Sequence, residues 1–221
     1  MIKIDDAGSG SFVGGTCIGV YRLETNEYYF DIIPVDLYQN DNFKKKLYLD
    51  EVVNIAAAAF QHLEVSPGEA IEVCRGYMFD KLKLWLDKND FTWQQGQITG
   101  KAQEVVEKSF ELYTMRLGLP EQYIKYTKYP FHFHKLLRWV FADFDNRIRI
   151  CKVGWKCWQK IKDIKPEEFI EKANRSNLYC LKCGGKIRKG SKVRVLKYCS
   201  NREHLVFLHY KCKNSTCNVL A

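Results

Sequence analysis

Over the first 35 positions, short apolar runs alternate with polar ones; beyond them, apolar residues recur at intervals of three and four. Residues 2–6, 16–23 and 28–35 read as strands, the second and third rich in β-branched and aromatic residues, with a turn at 24–27. Residues 49–63 place Leu49, Val52, Val53, Ala56, Phe60 and Leu63 on one helical face. Pro67 and Gly68 break the chain, and 70–73 is a short apolar run suited to a buried strand. A helix over 77–87, an extended segment over 91–98 and a helix over 101–117 follow. In the last of these, Val106, Phe110, Tyr113 and Leu117 share a face. A connection through Pro120 and Pro130 leads to a final helix striped by Phe133, Leu136, Leu137, Val140, Phe141 and Phe144. Three strands ahead of α/β alternation imply an α/β fold: a mixed sheet with antiparallel hairpins and helices on its faces.

The length of 221 residues suffices for one good core and a small satellite domain. With 46% hydrophobic residues the chain is too apolar for a disordered protein. It has no run of the roughly 18 apolar residues a membrane helix needs. The amino terminus runs from Met1-Ile2-Lys3-Ile4 straight into charge, without a signal peptide's apolar segment. A soluble protein with no membrane partner is expected. The nine cysteines, an odd number, favour a reducing, cytoplasmic compartment and metal ligation over disulfides. Cys17 and Cys74 sit in apolar stretches and read as core residues.

Charge is unevenly spread. Residues 151–221 hold 17 Lys and Arg against 5 Asp and Glu, whereas residues 1–150 hold 18 against 21. A basic tail behind a slightly acidic body points to a polyanionic partner, and nucleic acid is the one expected.

Asp5-Asp6-Ala7-Gly8-Ser9-Gly10 leaves the first strand and meets Gly14-Gly15 before the second. Carboxylates beside glycines suit a hard cation and leave room for a phosphate; a solvated, glycine-rich hairpin is the alternative. The hexapeptide resembles the Asp-Glu-Ala-Gly-Arg-Gly signature that opens type 2 ribonucleases H. Downstream, Ala70-Ile71-Glu72-Val73 and Ile98-Thr99-Gly100-Lys101-Ala102-Gln103 resemble the fourth strand and following helix start of RuvC-type Holliday junction resolvases. Residues 1–147 are thus similar in pattern to the ribonuclease H-like nuclease superfamily. That resemblance implies a two-metal nuclease holding Mg²⁺ or Mn²⁺, with Asp5 as the first ligand and Asp6 able to swing in at the glycine turn. Glu72 is the second candidate, because a carboxylate between Ile71 and Val73 is costly to bury without a partner; an edge position with a salt bridge is the alternative. The resemblance also places Asp residues near the start of the last helix, where this chain has His132-Phe133-His134. His134 is therefore taken as the final catalytic ligand. Asp143 lies about 13 Å along the helix from it and cannot share its site.

Cys180-Leu181-Lys182-Cys183 and His209-Tyr210-Lys211-Cys212 form two tight ligand pairs, the donor set of tetrahedral zinc. Cys199, His204 and Cys217 are spare candidates, and an all-cysteine site using Cys217 in place of His209 is the rival. With Ile187-Arg188-Lys189-Gly190-Ser191-Lys192-Val193-Arg194 between them, the pairs resemble poly(ADP-ribose) polymerase-type zinc fingers. That resemblance implies binding to DNA breaks and unusual DNA structures. Arg147, Arg149, Lys152, Trp155, Lys156, Trp158 and Lys160 alternate basic and aromatic side chains, which can contact phosphates and bases or dock a linker.

The expected organisation is a ribonuclease H-like domain over 1–147, a basic linker over 148–175 and a zinc domain over 176–221. The expected function is divalent-metal-dependent cleavage of structured or branched DNA. A resolvase of this kind implies a homodimer. The alternative is a non-catalytic nucleic-acid binder. An actin-like or sugar-kinase-like ATPase needs a second, repeated half for which this body is too short.

Overall fold

The computed structural model describes residues 1–126 and 129–212. The chain forms two compact units: Met1–Ser9 with Gly14–Tyr113, and Gly10–Val13 with Thr114–Ala221.

The first unit is built on strands β1 (Ile2–Ala7), β2 (Thr16–Arg22), β3 (Tyr28–Ile33), β4 (Ile71–Cys74) and β5 (Trp93–Gly96). They form one sheet in the order β3-β2-β1-β4-β5. β1, β2 and β3 pair antiparallel, whereas β4 runs parallel to β1 and β5 parallel to β4. This is the mixed sheet with antiparallel hairpins that the element order implies. A short helix α1 (Asn40–Lys44) precedes α2 (Leu47–His62), and α3 (Asp80–Lys88) and α4 (Lys101–Arg116) follow. Ile2, Ile4, Ile18, Val20, Ile71 and Val73 pack with Val52, Ala56, Phe60, Leu82 and Leu86 of α2 and α3 in one core. On β2, Gly19 admits α4 closely: a Cβ there would meet Val106 Cγ2 at 2.2 Å.

The second unit holds α5 (Glu121–Tyr126), α6 (Phe133–Phe141), α7 (Phe144–Arg147) and α8 (Lys156–Gln159). Its strands are β6 (Glu167–Lys172), β7 (Leu178–Tyr179), β8 (Lys186–Ile187), β9 (Lys192–Cys199) and β10 (Glu203–His209). β6, β9 and β10 form an antiparallel sheet in the order β10-β9-β6, and β7 and β8 a separate pair. The division at 113/114 differs from the expected boundary at 147. The cause is α6, whose Leu136, Leu137, Val140 and Phe141 share a core with Val195, Tyr198, Val206 and Leu208.

The expected linker is likewise folded into this unit. Trp158 is buried and stacks on Phe12 at 5.5 Å, Lys152 is fully buried, and β6 pairs with β9. The alternation of basic and aromatic residues therefore serves packing as well as surface charge. No helix among the described residues is long and apolar enough to cross a membrane.

Gly8 closes the hexapeptide turn with φ +83°, and a Cβ added there would lie 2.1 Å from the Phe110 ring. Gly8→Ala combines a left-handed backbone with an overpacked contact and is expected to destabilise the first unit by about 2 kcal/mol. A urea midpoint unchanged from the parent would contradict this.

Candidate metal centre and the carboxylate strand ends

The ligand atoms of Cys180, Cys183, His209 and Cys212 all lie within 4.8 Å of one another. Two turns bring them together. After β7, Cys180 N–H donates to Gly185 O at 2.9 Å and Gly184 N–H to Cys180 O at 2.8 Å, with Gly184 at φ +73°. After β10, Cys212 N–H donates to His209 O at 3.2 Å. Cys180 Sγ and Cys212 Sγ are 3.7 Å apart, against about 3.8 Å for two Zn–S bonds of about 2.3 Å at the tetrahedral angle. Cys183 Sγ lies 3.3 Å from His209 Nδ1. His209 Nε2 is 3.2 Å from Lys186 O, so an N–H donated there leaves the Nδ1 lone pair facing the thiols.

The thiols carry the electrostatic mark of a cation site. Burial opposes a thiolate at Cys180, but N–H groups of Cys183, His209 and Lys182 outweigh it and lower its pKa. Burial and the Cys180 charge then push the Cys212 thiol up to about 12. Cys180 thus takes on a negative charge readily while Cys212 resists one, an imbalance that a bound dication removes. This Cys₃His cluster could hold a metal such as zinc. Cys199 is exposed, and His204 instead hydrogen-bonds Asn201 Oδ1 at 2.9 Å and stacks on Tyr198 at 5.1 Å. Cys217 lies outside the described residues.

Arg147, which the sequence places among residues offered to nucleic acid, instead braces this centre. It is fully buried, and its guanidinium lies 3.9 Å from the Trp139 ring centroid. Nη1 donates to Trp139 O at 2.6 Å and Leu181 O at 2.8 Å, and Nη2 to Lys182 O at 2.7 Å. Lys182 Nζ in turn pairs with Asp143 at 3.2 Å. Nothing local in the sequence signals these bonds.

In the first unit, β1 sets Asp5 opposite Gly19 and Asp6 opposite Ile18, so the two carboxylates leave opposite faces of the sheet. Lys3 pairs with Glu72 along β1 and β4, which puts Glu72 on the same face as Asp5. Glu72 is held there by Lys3 Nζ at 3.2 Å, the salt bridge weighed as its alternative. Asp5 is buried, and burial raises its pKa against the lowering effect of bonds from the Cys74 thiol and Asp6 N–H; Asp6 and Glu107 raise it further. Cys74 is pushed up to about 12 by burial and then by Asp5. Sequence reading takes Cys74 only as core and passes over Glu107, which lies on α4 about one turn beyond the Gly100–Gln103 segment.

Asp5, Asp6 and Glu72 form no convergent group of three metal-binding side chains among the described residues. His134 belongs to the second unit, where its Nδ1 lies 3.0 Å from Ser200 Oγ and its ring stacks on His204 at 5.8 Å.

Two outcomes follow from these geometries. Protein purified without chelator is expected to carry close to one zinc per chain, and Cys183→Ser to lose it, as read by elemental analysis; zinc-free wild-type protein would exclude the site. At Asp5 the raised folded-state pKa means that stability falls as pH rises through it, because the folded state holds the proton more tightly than the unfolded state. Asp5→Asn is therefore expected to stabilise the first unit at pH 7.5, with the gain fading toward pH 3.5. Denaturant midpoints at the two pH values check the sign.

No protein-family model matches the chain, and no curated protein matches it in sequence.

Proposed function

We propose that the chain is a nucleic-acid-binding protein whose metal-organised second unit makes the backbone contacts. One observation carries the reading: formal charge divides where the structure divides. The first unit holds 11 Lys and Arg against 18 Asp and Glu, a balance of −7; the second holds 24 against 8, a balance of +16. Many of the basic side chains are exposed, among them Lys186, Arg188, Lys189 and Lys192 around the β8–β9 turn. That turn lies within the run that resembles the poly(ADP-ribose) polymerase-type finger. Cations on a turn fixed by neighbouring metal ligands meet phosphates at low entropic cost.

Neutralising each phosphate of a duplex steepens the fall of log affinity with log salt by about 0.9. Binding to branched and duplex DNA is expected to weaken steeply between 50 mM and 200 mM salt, losing roughly 10³-fold if about six phosphates are contacted. The variant Arg188→Gln, Lys189→Gln, Lys192→Gln should reduce the slope by about 2 to 3 while the zinc content stays the same. Salt-independent binding, or an unaltered slope, would place the interface elsewhere.

A second reading, a ribonuclease H-like nuclease using Mg²⁺ or Mn²⁺, is favoured by the position of Asp5 and Glu72. They share a face of the neighbouring parallel strands β1 and β4, Asp5 in the second half of β1 and Glu72 second in β4. The sheet order also reverses direction at β1, the place where open α/β sheets take ligands. Against it stands Lys3, whose ammonium already neutralises Glu72 and would have to yield to an entering cation. The acids as they stand do not fit a two-metal site. Four-way, flap and RNA–DNA hybrid substrates with Mg²⁺ and Mn²⁺ decide the matter. Cleavage abolished by Asp5→Asn and by Glu72→Gln establishes the nuclease; no cleavage by zinc-replete wild-type protein leaves the binder.

A further inference from the structure

A cavity of about 280 Å³ in the second unit is lined by His132, His134, Lys135, Arg138, Arg202 and His204, with neutral Tyr129 and Asn201 completing the wall. Among the described residues no carboxylate lines it. The nearest acid in sequence, Glu203, is turned to Lys197 at 2.8 Å. Among the described residues neither Arg138 nor Arg202 has an acidic partner.

The imidazoles are held in place. His134 and His204 stack at 5.8 Å with an interplanar angle of 12°, and His132 lies 5.7 Å from His134. One nitrogen of each stacked ring is engaged, His134 Nδ1 by Ser200 Oγ and His204 Nε2 by Asn201 Oδ1; His134 Nε2 can then donate to an anion, and His204 Nδ1 can do so once its ring takes up a proton. Arg138 is anchored by Nη2 donating to Leu205 O at 2.9 Å, while its Nε is buried and has no partner. His132 also caps the amino end of α6, where helix N–H groups add positive potential.

So many cationic groups around one cavity repel one another, which is costly unless an anion joins them. The same repulsion is visible in the stacked imidazoles. Burial first, and then the nearby cations, hold both below the usual histidine range.

We propose that this cavity binds a phosphate monoester. A dianion with tetrahedral oxygens matches two guanidinium forks and a pair of imidazoles better than a singly charged diester does. The side chain of Arg138 also lines a cavity of about 630 Å³ bounded by Tyr123, Leu178, Tyr179 and Phe207. That space, aromatic on Tyr123, Tyr179 and Phe207 and edged by the amides of Gln122 and Asn177, suits a base attached to the phosphate. The ligand is accordingly the terminal phosphate of a nucleic-acid strand, an assignment of the source that rests on the nucleic-acid reading above.

The test uses the full zinc-replete chain and begins with inorganic phosphate, which is independent of that reading. Phosphate at matched ionic strength should shift the ring resonances of His134 and His204, and chloride should not. Arg202→Gln and His132→Gln replace exposed side chains and should each weaken phosphate binding at least fivefold without changing the melting temperature. A short duplex bearing terminal phosphates should then bind about tenfold more tightly than its hydroxyl-ended twin, and Arg202→Gln should abolish the difference. Phosphate no better than chloride, or variants indistinguishable from wild type, overturns the pocket. Phosphate binding with no binding of either duplex supports the pocket and overturns the nucleic-acid reading instead.

Discussion

A guanidinium taken fully out of water must be given acceptors, and Arg147 finds three in backbone carbonyls. Two of these belong to Leu181 and Lys182, the residues between the first pair of candidate metal ligands. The Cys-x2-Cys turn is therefore tied to α6 and α7 by charge-assisted bonds. Trp139 supplies both a carbonyl and a π face to the same cation, so α6 and the turn are held by one guanidinium. Around that brace the rest of the second unit can place its basic side chains outward.

The carboxylate ends of the first unit follow the opposite economy. Glu72 is partnered by an ammonium from the neighbouring strand, and Asp5 sits beside a thiol and other acids. One group is satisfied and the other is held above its ordinary pKa by its surroundings. A buried carboxylate kept under such conditions is a feature that packing alone does not call for.

Much of this architecture is legible in the chain. β2 and β3 follow their β-branched and aromatic content, and α2 follows its apolar stripe, because both depend on residues close in sequence. The metal cluster is legible because its two pairs are each local and only one distance between them must be closed. The connection through Pro120 was harder to read: it contains α5, with Pro120 O accepting from Tyr123 N–H at 2.9 Å. A proline that looks like a break is there the start of a helix. The Lys3–Glu72 pair and the Arg147 brace depend on strand register and long-range packing, which no window of sequence contains. The unit boundary was missed for the same reason: the stripe on α6 announces that it will be buried without saying against which sheet.

Phe12 has a consequence for how the protein comes into being. It lies in the short segment between β1 and β2, yet it is buried in the core of the second unit, stacked on Trp158, and its carbonyl accepts the Lys152 N–H at 2.8 Å. During synthesis this residue leaves the ribosome long before its partners do. The second unit cannot finish folding until the amino-terminal hairpin has waited, with one aromatic side chain exposed, for the carboxyl half to arrive. The two units are thus interleaved in time as well as in sequence, and neither is a module that evolution could exchange by a single cut.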